Sequence, residues 1–164
     1  MPRGMSLVEV LVALLVLGIG VMGYAALQLN AVRMSEDTYS RSQAMAVAQD
    51  LIERMRANVN SDAVLAFYTD AADWSGTPTS PAKSCSDPAV PCSPDAIAES
   101  DIYQSRRYAQ TMLPTGDVAV SKCNGVTCVT VAWNQTTPAN CKQTERVNGD
   151  RGANANCVIV EFIP

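Results

Sequence analysis

The sequence predicts an α+β fold, in which a long N-terminal α-helix packs on a small antiparallel β-sheet. An apolar run over residues 10–27 continues without a break into an amphipathic helical pattern that ends at Asn58. After Pro114 the apolar residues alternate with polar ones, which is typical of strands. The length of 164 residues fits one domain with a modest core.

The first part of the helix is long and apolar enough to span a membrane. Residues 10–27 carry no charge and would form about 27 Å of helix, most of the hydrocarbon core of a bilayer. Arg3 precedes this run, so the N-terminal end is expected to remain in the cytoplasm. Ala25-Ala26-Leu27 is a poor match to a signal-peptidase site. We therefore expect the segment to be retained in the mature protein.

The second part of the helix is amphipathic, with residues that repeat at spacings of three and four. One face carries the apolar residues Met45, Ala48, Ile52, Met55 and Val59. The charged residues turned away from it are Asp50, Glu53, Arg54 and Arg56. Together with the apolar run, this pattern predicts one helix from Met5 to Asn58, roughly 80 Å long.

A loop and a second helix are predicted next. Residues 69–100 hold a cluster of prolines, which disfavour regular structure. The helix is expected to begin at Ser93-Pro94-Asp95 or at Ser100-Asp101, both of which are typical N-terminal sequences. Its apolar side would carry Ile102, Ala109, Met112 and Leu113. Pro114 and Gly116 are expected to end it.

Three segments rich in β-branched residues predict the sheet. They are Asp117–Lys122, Val126–Trp133 and Cys157–Ile163. Asn124-Gly125, between the first two segments, is the strongest hairpin signal in the chain. Residues 134–156 are polar and predict irregular structure.

The cysteines predict structural disulfides. All six lie between Cys85 and Cys157, in the part expected to face an oxidising compartment. They form no paired C-x-x-C hooks, which argues against zinc. Cys85 and Cys92 would close the proline-rich loop, and Cys141 and Cys157 the connection before the last strand. Six cysteines allow fifteen pairings, so the sequence leaves the connectivity open.

The remaining pair, Cys123 and Cys128, depends on the hairpin. A two-residue turn at Asn124-Gly125 would pair Cys123 with Val126 and leave Cys128 as a diagonal neighbour at about 7 Å, the limit for a disulfide. A four-residue loop would place the two cysteines directly opposite each other. We favour the four-residue loop.

Composition excludes several classes of function. A net charge of −4 provides no basic stripe for nucleic acid, and Arg106-Arg107 is interpreted as a solvated helix face. The chain has no histidine, so we expect no catalytic residue, no metal site and no cofactor. The segment from Gly18 to Gly23 matches G-x-G-x-x-G, but no second strand follows it. Close approach between membrane helices explains these glycines better.

Glu9 is the one residue that a simple membrane anchor does not explain. A charge within a membrane segment costs a few kcal/mol, which makes it a functional-site candidate in need of a partner. Cleavage after Gly4 would give Met5 a free ammonium group, and Glu9 of a neighbouring chain could pair with it. Within one chain the two groups lie about 6 Å apart along the axis, which favours an intermolecular pair between staggered chains.

The segment Gly4-Met5-Ser6-Leu7-Val8-Glu9-Val10 resembles the processing motif of type IV prepilins. The resemblance implies cleavage between Gly4 and Met5, N-methylation of Met5, and a role for Glu9 as the assembly carboxylate. It divides the chain into a leader (1–4), the membrane and assembly half of the helix (5–29), and a periplasmic globular domain that includes the second helix half (30–164).

A longer pattern is similar to minor pilins of the PilV type. It comprises residues 4–28, residues 48–60, and the segments LPTGDVAVSKC and VTVAWN within residues 113–134. That family has a lollipop fold with a long helix on an antiparallel sheet. The resemblance implies a low-abundance subunit that primes pilus assembly, enters the fibre in a tip complex of minor pilins, and supports twitching motility and adhesion. Expected partners are other minor pilins, the major pilin, prepilin peptidase, the inner-membrane assembly platform and membrane lipid. The chain would reside in the inner membrane before assembly and in the extracellular pilus afterwards.

Two alternatives remain open. Minor pseudopilins of type II secretion systems share the same kind of N-terminus. A membrane-anchored periplasmic binding or adhesive module that never enters a fibre is the other reading.

Overall fold

The computed structural model describes residues 6–81, 85, 91–141, 146–147, 150–151 and 156–164. The helices are α1 (Leu7–Asn58), α2 (Asp62–Thr69) and α3 (Pro94–Met112), followed by a 3-10 turn at Pro138–Asn140. The strands are β1 (Asp117–Cys123), β2 (Val126–Ala132), β3 (Arg146–Val147), β4 (Asp150–Arg151) and β5 (Cys157–Phe162). The chain divides into two compact units, Met1–Tyr39 and Ser40–Pro164.

The predicted α+β fold is confirmed. A three-stranded antiparallel sheet has the order β1-β2-β5, and β3 and β4 form a separate two-stranded pair. Asp117 pairs with Ala132 at one end of the β1–β2 hairpin and Cys123 with Val126 at the other. The sequence analysis missed β3 and β4, because strands of two residues are too short to show an alternating pattern.

The described part of the first unit, residues 6–39, is helix from Leu7 onward and buries none of its side chains. Every described residue from Ser6 to Tyr39 is exposed. A Cβ atom added at Gly18, Gly20 or Gly23 would meet nothing within 4 Å. These glycines are therefore not required by packing inside this unit.

In the second unit, the rest of α1 supplies one side of the core. Its buried residues are Ala44, Val47, Ala48, Leu51, Ile52, Met55 and Asn58. The apolar ones form a single cluster with inward-facing valines of the sheet, including Val118 and Val129. Met45, predicted to face the core, is 39% exposed. The buried stripe is centred instead on Ala44, Ala48 and Leu51, whose 4-3 spacing places them on one face.

Helix α2 was not predicted. Ser61 caps it by accepting a hydrogen bond from the backbone N–H of Val64 at 3.5 Å. Val64 and Tyr68, four residues apart, are the buried residues of this short helix. Two buried positions make too short an apolar pattern to distinguish a helix from a loop.

Helix α3 begins at the first of the two predicted starts. Ser93 accepts a hydrogen bond from the N–H of Ala96 at 3.4 Å, and Pro94 occupies the first turn. Ile102, Ala109 and Leu113 are buried as expected, whereas Met112 is 40% exposed.

The hairpin contradicts the four-residue loop that the sequence analysis favoured. Asn124 and Gly125 alone form the turn, with φ of 48° and 84°, as a type I′ turn requires. Ser121 pairs with Cys128, so the two cysteines are diagonal neighbours. They nevertheless form a disulfide, with Cα atoms 5.8 Å apart. The right-handed twist of a two-stranded ribbon shortens one diagonal, which the estimate for a flat ladder ignored.

The other cysteines also form disulfides. Cys85 bonds with Cys92, with Cα atoms 5.7 Å apart, in the loop between α2 and α3. Cys141 bonds with Cys157, at 6.2 Å, and joins the segment after the 3-10 turn to the start of β5. Both Cα separations lie in the ordinary range for disulfides.

Candidate functional site

The candidate site begins at the N-terminus of α1. Gly4 and Met5 lie outside the described residues. Glu9 lies in the first turn of α1, where its backbone N–H donates to the carbonyl of Ser6 at 2.9 Å. Its side chain is exposed. The structure therefore places Glu9 within the first turn of the helix, and its pairing with Met5 stays a prediction.

Glu9 is the one charged residue of a segment with an otherwise largely apolar surface, which we call the apolar stalk, residues 7–29. Its large side chains, from Leu7 at 75% to Leu29 at 64%, are exposed. Burying one Val, Leu or Ile side chain contributes about 1.5–3 kcal/mol, so exposure of the whole stalk to water is strongly unfavourable. It requires lipid or other apolar helices around it.

The length and composition of α1 fit a membrane environment. The helix contains an 18-residue window with a mean hydropathy of 2.5, and no residue of that window is buried. A helix of this length and hydropathy is sufficient to cross a bilayer.

In the second unit, a hydrogen-bonded network ties the three helices together. Asp101 of α3 accepts a hydrogen bond from the hydroxyl of Tyr68 at 2.6 Å and another from Arg54 at 3.3 Å. Asn58 donates to the Tyr68 hydroxyl at 3.1 Å and to the carbonyl of Pro94 at 2.8 Å. The network links α1 with α2 and with both the start and the middle of α3.

This network changes the pKa of two of its members. Burial, followed by the hydrogen bond to Asp101, raises the pKa of Tyr68 well above its usual value. Burial lowers the pKa of Arg54, but its hydrogen bonds and charge pairing with Asp50 and Asp101 outweigh that effect, so the net change is upward. Both groups therefore keep their protons at physiological pH, and Asp101 faces two donors.

Arg106 corrects a prediction of the sequence analysis. It is 3% exposed and not part of a solvated face, whereas Arg107 is exposed. Its guanidinium donates to Asp117 at 3.2 Å and to the carbonyls of Ser75 and Gly76 at 3.1 and 2.6 Å. One carboxylate and two carbonyls satisfy the buried charge, which is why arginine is tolerated at this position.

A cation–π contact fixes the start of the second unit. The guanidinium of Arg41 on α1 lies 5.7 Å from the centre of the ring of Trp133, which is 1% exposed. Arg41 thereby couples the first turn of α1 within this unit to the end of β2.

Acidic side chains cluster beside α2 without forming a metal centre. Partial burial and the charges of Asp70 and Glu99 raise the pKa of Asp73. Among the residues that the structure describes, no group of three or more His, Cys, Asp or Glu side chains could hold a metal ion.

Two family models match the N-terminal part of the chain. Residues 2–25 match the model of the prokaryotic N-terminal methylation motif, and residues 26–103 match the model of type IV pilin Tt1218. The two matches adjoin each other and together cover residues 2–103. Searches of curated proteins and of solved structures found no match.

The two matches cover the described elements as far as the middle of α3. The methylation motif contains Gly4, Met5 and Glu9, and covers most of the apolar stalk. The second match takes in the rest of α1, all of α2 and the first half of α3. The network described above joins the three helices and thereby supports the fold of the second unit.

The sequence analysis missed Tyr68, Asp101 and Arg106 as residues that organise the second unit. A signal for Arg106 was present, because it falls on the same helical stripe as Ile102 and Ala109. Ser61 followed by Asp62 is a helix-start signature that could have revealed α2. Nothing local indicated the contact between Tyr68 and Asp101, which are 33 residues apart.

Proposed function

We propose that this chain is a minor pilin, of the PilV type, that primes assembly of the type IV pilus and is incorporated into the fibre. The observation that carries the proposal is the unbroken match from the methylation motif into the type IV pilin model, over residues 2–103. The fully exposed apolar stalk supports it, because a subunit that leaves the membrane for a fibre needs a surface that suits both environments.

The sequence of events follows from the N-terminus. Prepilin peptidase removes residues 1–4, and the new N-terminal residue Met5 is methylated. Residues 5–29 hold the subunit in the inner membrane while residues 30–164 lie in the periplasm. The disulfides of the second unit support this orientation, since disulfides persist in oxidising compartments.

Glu9 guides the entry of the subunit into the fibre. A carboxylate in lipid is costly unless it is paired, and the ammonium of Met5 in an adjoining subunit is the nearest complementary charge. Formation of this pair sets the axial position of one apolar stalk relative to the stalk of the adjoining subunit. The stalk then exchanges lipid for the helices of other minor pilins and of the major pilin, in a tip complex that the assembly platform extends.

Deletion of the gene tests the proposal. We expect loss of surface pili, of twitching motility and of pilus-dependent adhesion, with type II secretion unchanged. Lost secretion with normal piliation would select the pseudopilin alternative, with which the methylation motif is equally compatible. Mass spectrometry of the mature N-terminus tests processing, and a chain that begins at Met1 would favour a permanently anchored periplasmic module.

A further inference from the structure

A groove lies between α1 and α3 on the surface of the second unit. Asp50 and Arg54 of α1 line one side, and residues of α3 that include Tyr103, Gln104 and Arg107 line the other. Its volume is about 500 Å³, and it is open to solvent. Helices hold both walls, so the side chains at its rim are presented by rigid backbone.

Two of the charges in the groove are already engaged. Arg54 donates to Asp50 at 2.8 Å, to Asp101 at 3.3 Å and to Gln104 at 3.0 Å. Asp50 is thereby neutralised by an arginine of its own helix. These contacts belong to the network that supports the fold, and they leave little capacity for an external ligand.

Arg107 differs from this pair. It is exposed, and within the described part of the chain its guanidinium makes one weak hydrogen bond, to Gln110 at 3.4 Å, and no ion pair. By contrast, Arg54, Arg56 and Arg106 each pair with a carboxylate. The charged groups that line the groove are thus one matched pair and one unmatched cation.

The chemistry around Arg107 fits a carboxylate on a protein partner. A guanidinium binds a carboxylate through two parallel hydrogen bonds, and Tyr103 and Tyr108 add aromatic surface to the same groove. Arginine and tyrosine are enriched among the residues that dominate protein interfaces. The N-terminal helix of this chain presents such a carboxylate, because Glu36 is exposed on α1, in the unit where every described side chain is exposed.

We propose that this groove, through Arg107, binds an acidic side chain on the helix of a neighbouring pilin subunit. The inference rests on the proposed function and adds a second, polar contact to the apolar contacts of the stalk. A charge at the rim of an interface acts mainly on the rate of association and on the relative position of the partners. Arg107 would therefore help to select which subunit docks.

The test is photo-crosslinking in cells that assemble pili. A benzophenone amino acid at Thr111, which is exposed on the rim, is combined with Arg107→Glu or with the control Lys122→Glu. Both substitutions change the net charge equally, and Lys122 is an exposed residue of β1 outside the groove. We expect a crosslink to an Asp- or Glu-containing peptide of another pilin, reduced about tenfold by Arg107→Glu, the factor that corresponds to ~1.4 kcal/mol, and unchanged by Lys122→Glu.

Three results would overturn the inference: equal crosslinking in both variants, a crosslink to lipid or saccharide, or no crosslink from the processed wild-type chain in fibres. Incorporation into sheared fibres separates this test from that of the proposed function. If the wild type is absent from fibres, the proposed function fails. If the wild type and Arg107→Glu enter fibres and crosslink equally, only the groove inference fails.

Discussion

At the residue scale, Tyr68 links the three helices of the second unit through hydrogen bonds. Its hydroxyl donates to Asp101 and accepts from Asn58, and its side chain is fully buried. Tyr68→Phe keeps the ring but leaves both partners without that hydrogen bond. We expect a loss of about 1–3 kcal/mol in the free energy of unfolding, the usual cost of leaving a buried polar group unsatisfied. Urea denaturation of the detergent-solubilised protein measures it, and Tyr24→Phe, at an exposed position, is the control.

The raised pKa of Tyr68 predicts a specific dependence of stability on pH. Above about pH 10, the ordinary pKa of a tyrosine, Tyr68 ionises in the unfolded chain but remains protonated in the folded one. The unfolded state then binds fewer protons, so the free energy of unfolding falls as pH rises. Below pH 10 this contribution is fully present. Unfolding measured between pH 9 and 11 should show a shallower decline for Tyr68→Phe than for the wild type, and parallel declines would contradict the assignment.

Arg106 shows why residue-scale prediction from sequence is incomplete. Two adjacent arginines look alike in a sequence, yet Arg106 is buried and Arg107 is exposed. The difference lies in Asp117 and in the Ser75 and Gly76 carbonyls, up to 31 residues away, which no local pattern reports. The helical stripe reveals the burial of Arg106, but only the fold reveals what satisfies its charge.

At the element scale, Gly116 is required where α3 turns into β1. A Cβ atom there would overlap the carbonyl oxygen of Ala109 and lie 2.7 Å from the Cβ of Leu113. Backbone cannot yield as a flexible side chain can, so we expect Gly116→Ala to cost about 1–3 kcal/mol in unfolding free energy, as overpacking does. Thermal denaturation is the measurement.

Gly125→Ala is a comparison for Gly116→Ala, because it strains the backbone of the hairpin without creating a close contact. Gly125 has room for a Cβ atom but a φ of 84°, so alanine strains the hairpin backbone without a clash. We expect a loss of about 1 kcal/mol. If Gly116→Ala had the same melting temperature as the wild type, the prediction for Gly116 would be wrong, because the close approach to Ala109 would then not affect stability.

Elements with strong local signals were predictable, and those set by tertiary contacts were not. The end of α1 at Asn58, the start of α3 after Ser93 and the hairpin at Asn124-Gly125 follow from periodicity, capping and turn chemistry. The loop size in that hairpin was misjudged because the cysteine pair was given more weight than the turn residues. Helix α2 depends on burial of Val64 and Tyr68, a contact outside its own sequence.

At the scale of the whole molecule, the two units differ in how their side chains are accommodated. The second unit hydrogen-bonds nearly all of its buried polar side chains, whereas the stalk leaves its apolar side chains exposed. In the second unit, the one described buried side-chain atom without a hydrogen bond is Oγ of Ser105. In the first unit, side chains such as Met22 at 77% and Ile19 at 65% remain exposed. The first unit therefore gains stability from its surroundings, and the second from its own core.

This division predicts that Glu9→Ala acts on assembly and leaves folding intact. The Glu9 side chain is exposed and belongs to the first unit, so its removal disturbs none of the described core. In the membrane, however, the ammonium of an adjoining subunit would lose its counter-charge. We expect incorporation into fibres to fall about tenfold or more, since loss of ~1.4 kcal/mol already gives that factor. Quantitative blotting of sheared fibres against whole cells measures it.

Two variants make the Glu9 experiment specific. Glu9→Gln keeps the size of the side chain and removes only its charge, so it should match Glu9→Ala if charge is what matters. Glu53→Ala removes an exposed acid from the same helix within the second unit and should incorporate as the wild type does. Mass spectrometry must show that every variant has lost residues 1–4, so that a processing defect is not mistaken for an assembly defect. Normal incorporation of processed Glu9→Ala would show that the stalks register through their apolar surfaces alone.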